Sequence, residues 1–167
     1  AETGHLVLST LHTIDAKETI NRIVSAFPPH NQHQIRLALS GVLRGVISQR
    51  LVVRADGKGR VPAVEVMVST SRIRECIAEG DKLKDIPDAI AAGHSMYGMQ
   101  TFDQSLMGLL KNKFITYDDA LKNASNPDDF ALKMQGVSSS SNGQWSDFED
   151  KKKERPKRSD DIDLERF

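Results

Sequence analysis

The sequence predicts an α/β protein in which a buried strand and an edge hairpin precede a group of short helices. Three consecutive apolar residues, Leu6–Leu8, are typical of a parallel strand covered on both faces, although a turn of buried helix has the same pattern. Two β-rich runs, 51–53 and 61–68, flank a glycine turn at 56–59 and predict the hairpin. From Ser71 onward the apolar residues recur with a helical period.

Composition narrows the class of protein. The chain has 167 residues, and its 23 Lys and Arg balance its 23 Asp and Glu, so no overall charge favours nucleic acid or an anionic membrane. Its single cysteine, Cys76, excludes a disulfide framework and fits a reducing compartment. No apolar run approaches the roughly 18–20 residues of a membrane span. We therefore expect a cytoplasmic protein with no integral membrane segment.

The end of the first predicted strand carries polar side chains, Ser9, Thr10, His12 and Thr13. Ligands of open α/β sheets bind at the carboxyl ends of parallel strands, so hydroxyl and imidazole groups at this position predict a phosphate-sensing edge. The alternative is a structural histidine. A parallel strand also needs neighbours, and few strand candidates follow. The chain is therefore expected to be the second part of a larger fold.

Two helices are predicted between this strand and the hairpin. Asp15 followed by Glu18 resembles a capping box and begins the first helix, which Pro28–Pro29 ends. The second is predicted over 31–50. Its polar face carries Arg36, Arg44 and Arg50, for which a solvated face and an interface or phosphate role both remain open.

Five further helices are predicted after the hairpin, over 71–79, 83–92, 101–112, 116–123 and 128–134. Thr116 supplies a helix cap. We expect residues 1–69 to form the α/β portion, 70–135 a small all-α helical domain and 136–167 a disordered charged tail.

The tail begins with a serine-rich linker at 138–141 and continues through a basic run at 151–158 to an acidic end. A solvated tail is the favoured interpretation, and binding to a membrane surface or nucleic acid is the alternative. The aromatic residues Trp145, Phe148 and Phe167 are candidate docking anchors.

Several kinds of site are not predicted. The five histidines have no zinc-ligand spacing, and no Gly-x-Ser-x-Gly elbow is present, so neither a metal site nor a nucleophile is expected. A Gly-x-x-x-x-Gly-Lys-Ser/Thr loop is also missing from this sequence. These residues by themselves therefore cannot cradle a triphosphate.

The run of residues 1–13, Ala-Glu-Thr-Gly-His-Leu-Val-Leu-Ser-Thr-Leu-His-Thr, resembles the His box of the hexameric secretion ATPases. The resemblance extends to about residue 135. It includes Ile-Asn-Arg-Ile at 20–23, Phe-Pro-Pro at 27–29, Leu-Ser-Gly-Val-Leu at 39–43, Val-Ile-Ser-Gln-Arg-Leu at 46–51, the hairpin at 55–66 and Gly-Met-Gln-Thr-Phe-Asp-Gln at 98–104. Within this superfamily the sequence is most similar to the motors that retract type IV pili in twitching motility.

This resemblance implies a RecA-like core that hydrolyses ATP between the subunits of a hexameric ring. The P-loop, acidic box and Walker B strand would lie upstream of Ala1, and would bind most of the ATP and Mg. The chain would be the remainder of the core and the C-terminal helical domain. In the family, the histidine matching His12 senses the γ-phosphate, His5 belongs to the same box, and Arg22 couples nucleotide to domain movement. Thr10 and Thr13 would lie beside the nucleotide.

The family's retraction-linked motif corresponds to residues 72–79, Arg-Ile-Arg-Glu-Cys-Ile-Ala-Glu, where Ile73, Arg74, Ile77 and Glu79 match it. The resemblance assigns motor coupling to Arg72, Ile73, Arg74, Ile77 and Glu79. Ala78 replaces an arginine of the motif, and Ile14 replaces the small polar residue usual after Leu-His-Thr. A plain amphipathic helix is the alternative for this segment.

The connection between the hairpin strands separates branches of the superfamily. Assembly and secretion motors carry a four-cysteine zinc insertion there, whereas this sequence has the short connection 54–60. The resemblance thus favours retraction, with a homohexameric ring at the cytoplasmic face of the inner membrane acting on a pilus platform protein. The alternatives are a non-catalytic module that docks on that platform protein, an extension or secretion ATPase, and a nucleic-acid motor, against which the balanced charge counts.

Overall fold

The computed structural model describes residues 1–134, which contain a two-stranded sheet and a series of short helices. In chain order the elements are α1 (Ala16–Ser25), a 3-10 turn (Pro29–Asn31), α2 (Gln32–Val42), β1 (Gly45–Val53), β2 (Arg60–Val68), α3 (Ser71–Ala78), a 3-10 segment (Gly80–Asp85), α4 (Ile86–Ala92), α5 (His94–Tyr97), α6 (Phe102–Lys111), α7 (Tyr117–Asn123) and α8 (Pro127–Met134). The predicted tail at 136–167, with its basic run and aromatic residues, lies outside the described residues. Within the described part of the chain, every helix is too short or too polar to cross a bilayer.

The predicted buried strand at Leu6–Leu8 is wrong. Residues 5–13 have no regular secondary structure, and Leu6 and Leu8 are 82% and 87% exposed. A parallel strand forms only against a neighbour in the same sheet. The only strands in residues 1–134 are β1 and β2, which pair with each other, so the apolar run has no partner in this structure.

The second predicted helix is only partly confirmed, because α2 ends at Val42 instead of Arg50. Residues 45–53 form β1, which pairs antiparallel with β2 from Gly45 opposite Val68 to Val53 opposite Arg60. A Cβ atom at Gly45 would lie 2.9 Å from the carbonyl oxygen of Met67, so glycine permits the close approach of the two strands. Cross-strand pairing therefore outweighs the helical period of the apolar residues at 46–47.

The predicted hairpin is confirmed, although it forms a two-stranded sheet by itself and not the edge of a larger one. Its connection begins with Arg54, whose guanidinium pairs with Asp56 at 2.7 Å. Asp56 also accepts from the amide of Lys58, and its hydrogen bonds from Arg54 and Lys58 lower its pKa to about 2. Gly57 and Gly59 have positive φ angles, the conformation for which glycine is suited.

The predicted helix boundaries are confirmed where a local cap sets them. The Asp15 carboxylate accepts from the amide of Glu18 at 2.7 Å and begins α1, which ends before Pro28. Thr116 caps α7 through the amide of Asp119. These boundaries follow from groups three or four residues apart, which is why the sequence predicts them.

Two hydrophobic clusters hold the elements together. The first joins α1, α3 and α4 to β2, and its members include Ile20, Met67, Ile73, Ile77, Ile86, Ile90 and Met99. The second packs α6 and α8 on the hairpin through Phe102 and Phe130. Both clusters include residues from either side of position 69, where the sequence places a domain boundary. That division stays a prediction.

Candidate functional site

Two of the predicted site residues lie together. The Nη1 atom of Arg22 donates to the carbonyl oxygen of His12 at 2.6 Å, and its Nη2 atom lies 3.6 Å from the Glu18 carboxylate. Arg22 reaches back because it sits two turns into α1, on the helix that directly follows the His12 segment. The His12 side chain remains exposed. The segment before α1 is therefore tethered by its backbone, which leaves the imidazole accessible.

Thr13 is also tied to α1. Its hydroxyl lies 2.7 Å from that of Thr19, and the Thr19 hydroxyl donates to the carbonyl oxygen of Asp15 at 2.9 Å. Because Thr19 has one proton to donate, Thr13 must be the donor of the pair. The Thr13 proton is thus used within the protein, which leaves its oxygen only as an acceptor.

The structure does not bring the remaining predicted nucleotide-contacting residues into this pair. Thr10 is exposed in the irregular segment. The Nδ1 atom of His5 lies 2.9 Å from the Thr3 hydroxyl, and His5 is exposed. The donor set fits phosphate in part. The His12 imidazole, the Arg22 guanidinium and the Thr10 hydroxyl can donate to phosphoryl oxygens. The Thr13 hydroxyl cannot, because its proton is already donated to Thr19.

Neither a phosphate loop nor a metal cluster accompanies these donors. No three His, Cys, Asp or Glu side chains in residues 1–134 are grouped so as to hold a metal ion.

The predicted coupling residues divide between two faces of α3. Ile73 and Ile77 are fully buried in the first hydrophobic cluster. Arg72 and Arg74 are exposed, and Arg74 donates to the carbonyl oxygen of Ser69 at 3.3 Å. The motif is therefore an amphipathic helix with an accessible charged face, which also carries Glu75.

Glu79, which follows the end of α3, pairs with the Nζ atom of Lys82 at 2.9 Å. Lys82 also lies 2.5 Å from Glu75, and these carboxylates raise the lysine's pKa. Because all three side chains are largely exposed, the pairs contribute little to stability.

Arg50, one of three arginines left open by the sequence, has a structural role. Its guanidinium carbon lies 3.9 Å from the centroid of the Phe102 ring, and its Nη1 atom donates to the carbonyl oxygen of Asn123 at 3.0 Å. Arg36 packs half-buried beside Gly80, and Arg44 is exposed. Because Arg50 belongs to β1 and not to a helix, its position was not predictable from the helical pattern.

Glu65 was missed by the sequence analysis. It lies on the inner face of β2, is 6% exposed, and accepts from the amide of Ala16 at 2.8 Å. Burial raises its pKa, a rise that the Ala16 amide partly opposes. A signal was present, because Glu65 interrupts an alternating apolar series of Val61, Ala63 and Met67.

Glu65 and Asp103 lie in one cleft of about 400 Å³ between the start of α1 and helices α4, α6 and α8. Asp103 accepts from the amide of Ser125 at 2.8 Å, and burial raises its pKa. The cleft is mainly acidic, since Asp15, Asp88 and Asp129 also line it. His12 and Arg22 do not, so the cleft is separate from the predicted nucleotide residues.

Comparison with known proteins places this arrangement in a family. The family model described as type II/IV secretion system protein matches residues 1–109. The chain is 45% identical over 130 residues to the type IV pilus retraction ATPase PilT of Pseudomonas aeruginosa. These aligned residues make up 78% of this chain and 37% of that protein. It is 40% identical over 132 residues to a twitching motility protein of Neisseria gonorrhoeae. These aligned residues make up 79% of this chain and 35% of that protein.

A solved structure is similar as well. The crystal structure of the pilus retraction motor PilT with bound ADP has 42% sequence identity and a TM-score of 0.66, over 77% of this chain and 35% of that one. The chain thus spans little more than a third of the length of the relatives it matches. Since the family model matches well over half of its residues, the chain belongs to the type II/IV secretion system protein family.

Proposed function

We propose that this chain is part of the ATP-hydrolysing subunit of a motor that retracts type IV pili and so drives twitching motility. The observation that carries the proposal is the 45% identity with a pilus retraction ATPase across 78% of the chain. The tether between Arg22 and His12 supports it, because the guanidinium holds the backbone of the residue that carries an exposed imidazole. The short connection between β1 and β2 favours retraction over extension.

In this proposal the nucleotide site is shared between two parts of a RecA-like core. The P-loop, acidic box and Walker B strand belong to the part of the relatives that this chain does not span, and that part binds most of the ATP and its Mg. Residues 1–69 complete the core, and residues 70–135 form the C-terminal helical domain. The apolar run at Leu6–Leu8 then gains the parallel neighbours that it lacks in residues 1–134.

Bound ATP would supply the phosphoryl group on which negative charge develops. His12 donates to the γ-phosphoryl oxygens, and His5 and Thr10 lie in the same segment. Arg22 holds the His12 backbone against α1 and adds positive charge nearby. Because α1 packs in the same hydrophobic cluster as α3, movement of the His12 segment would reach the exposed charged face of α3.

The proposed assembly is a homohexameric ring at the cytoplasmic face of the inner membrane. Its partner is a pilus platform protein in that membrane, and the accessible arginines of α3, Arg72 and Arg74, belong to the coupling surface. No role for nucleic acid is included. Tight, salt-sensitive binding of single-stranded DNA by the chain would contradict this part of the proposal.

The substitution His12→Ala in the full-length subunit tests the mechanism. We expect ATP turnover to fall below detection while nucleotide affinity stays within about threefold, because the remaining cradle provides most of the binding. The matched control is His33→Ala, since His33 is an exposed histidine on α2 that is not among the predicted site residues. Unchanged hydrolysis by His12→Ala would contradict the assignment. Residues 1–167 alone should hydrolyse no ATP, and measurable turnover would reveal a phosphate site outside this proposal.

A further inference from the structure

Glu65 is the only buried carboxylate among residues 1–134, and it lies where the surrounding pattern is apolar. Its neighbours on the inner face of β2 are Ala63 and Met67, both at most 1% exposed. Ser48 lies opposite it on β1, with a buried hydroxyl that has no hydrogen-bond partner in this part of the chain. An apolar residue would avoid the cost of burying this carboxylate. Stability alone therefore does not account for Glu65.

The contact that Glu65 makes is specific. Its Oε1 atom accepts from the amide of Ala16 at 2.8 Å, and Ala16 is completely buried. Ala16 is the first residue of α1, and its amide is one of the donors that a helix start leaves without a partner inside the helix. The bond joins residues 49 apart in the chain, so it connects the hairpin with the beginning of α1.

The segment fixed by this bond is the one that carries the predicted nucleotide residues. Thr13 donates to the hydroxyl of Thr19, and Arg22 donates to the carbonyl oxygen of His12. Both contacts attach the segment to α1 itself. Glu65, in contrast, attaches the start of α1 to the hairpin. Its partner, Ala16, lies four residues after His12.

We propose that Glu65 is a positioning residue, whose carboxylate oxygen sets the place of the His12 segment relative to the hairpin by accepting from Ala16. This inference rests on the proposed function. The role needs an acceptor oxygen and not a negative charge. Two substitutions of nearly equal size should therefore behave differently at this position. Glutamine keeps an acceptor oxygen, whereas methionine fills the same space without one.

The first test uses the 167-residue chain and NMR spectroscopy. In Glu65→Gln we expect the His12 imidazole shifts and the Ala16 amide exchange rate to match the wild type. In Glu65→Met we expect the His12 shifts to move and Ala16 exchange to become about tenfold faster, since its hydrogen bond is lost. The stability of Glu65→Met should not fall below that of Glu65→Gln, because Ala63 and Met67 surround it.

The matched control is Asp103→Leu. Asp103 is also a largely buried carboxylate that accepts from a backbone amide, that of Ser125. It lies in the same cleft, but its hydrogen bond comes from Ser125 and not from α1. We expect this variant to leave the His12 shifts unchanged even where its free energy of unfolding falls, so general destabilisation is separated from positioning.

The second test measures ATP turnover in the full-length subunit. We expect Glu65→Met to lower kcat by about tenfold to a hundredfold, as misplaced groups do, with KM little changed and with Glu65→Gln near the wild type. Unmoved His12 shifts in Glu65→Met, or a Glu65→Gln variant as impaired as Glu65→Met, would overturn the inference. Moved His12 shifts with full turnover in both Glu65→Met and His12→Ala would support the anchoring and contradict the proposed function.

Discussion

Arg50 offers a test that separates a structural arginine from a phosphate-binding one. Its guanidinium stacks on Phe102 with 3.9 Å between the guanidinium carbon and the ring centroid, and it donates to Asn123 at 3.0 Å. These contacts connect β1 with α6 and the end of α7. The substitution Arg50→Met removes both while retaining most of the aliphatic side chain.

The expected loss follows from the two contacts. A partly buried cation–π pair contributes about 1 kcal/mol. A hydrogen bond from a charged donor contributes about 1.5 kcal/mol, to be discounted because Arg50 is half-buried and screened by solvent. Arg50 also opposes the rise that burial causes in the pKa of Glu65 and Asp103. We therefore expect the free energy of unfolding to fall by about 2 kcal/mol, and Tm by roughly 7 °C.

Urea denaturation followed by circular dichroism measures this change. The matched control is Arg44→Met, since Arg44 is exposed near the start of the same strand and should change stability by less than about 0.5 kcal/mol. A double-mutant cycle with Phe102→Leu should give a coupling energy of about 0.5–1 kcal/mol for the stacked pair.

Equal stabilities for Arg50→Met and Arg44→Met would refute the structural assignment. A second outcome would also refute it: Arg50→Met in the full-length subunit could lose nucleotide affinity with its stability unchanged. That result would restore the phosphate role left open for this residue by the sequence.

Two further predictions concern stability. In Gly93→Ala the new Cβ would lie 1.9 Å from the Cε atom of buried Met99, so overpacking should lower the free energy of unfolding by about 1–3 kcal/mol. In Gly108→Ala the new Cβ would meet open space, so the free energy of unfolding should rise by about 0.5–1 kcal/mol in the same urea denaturation assay. Equal effects of the two substitutions would contradict this packing. Burial raises the pKa of Asp103 above its ordinary value of 3.8, so the folded state binds this proton more tightly than the unfolded state does. The contribution of Asp103 to stability should therefore increase as the pH falls through the folded pKa. It should level off once the pH is below the ordinary pKa. Asp103→Asn, which keeps an oxygen for the Ser125 amide, should flatten that part of the pH–stability curve, and an unaltered curve would assign it to other groups.

Features decided by neighbouring residues were predictable from the sequence alone. The cap at Asp15 and the hairpin turn at Gly57 both depend on groups within a few residues of one another. Helices α3, α6, α7 and α8 follow from a period that each segment carries by itself, whereas the predicted helix 83–92 begins only at Ile86, after the 3-10 segment Gly80–Asp85, and α5 was not predicted. Family membership was also predictable, because the motifs of residues 1–109 are continuous in the sequence.

Other features depended on partners distant in the chain. The apolar run Leu6–Leu8 has the composition of a buried strand, but it remains irregular where no parallel neighbour pairs with it. Residues 45–50 share a helical period with α2, yet pairing with β2 makes them a strand.

The candidate site divides in the same way. The sequence identifies His12 and Arg22 through the resemblance, and only the tertiary structure shows the hydrogen bond that joins them. It likewise decides the roles of Arg50 and Glu65, whose partners lie 73 and 49 residues away. Local propensity acts through contacts within about one helical turn, whereas the role of a buried charge depends on which distant group the fold brings to it.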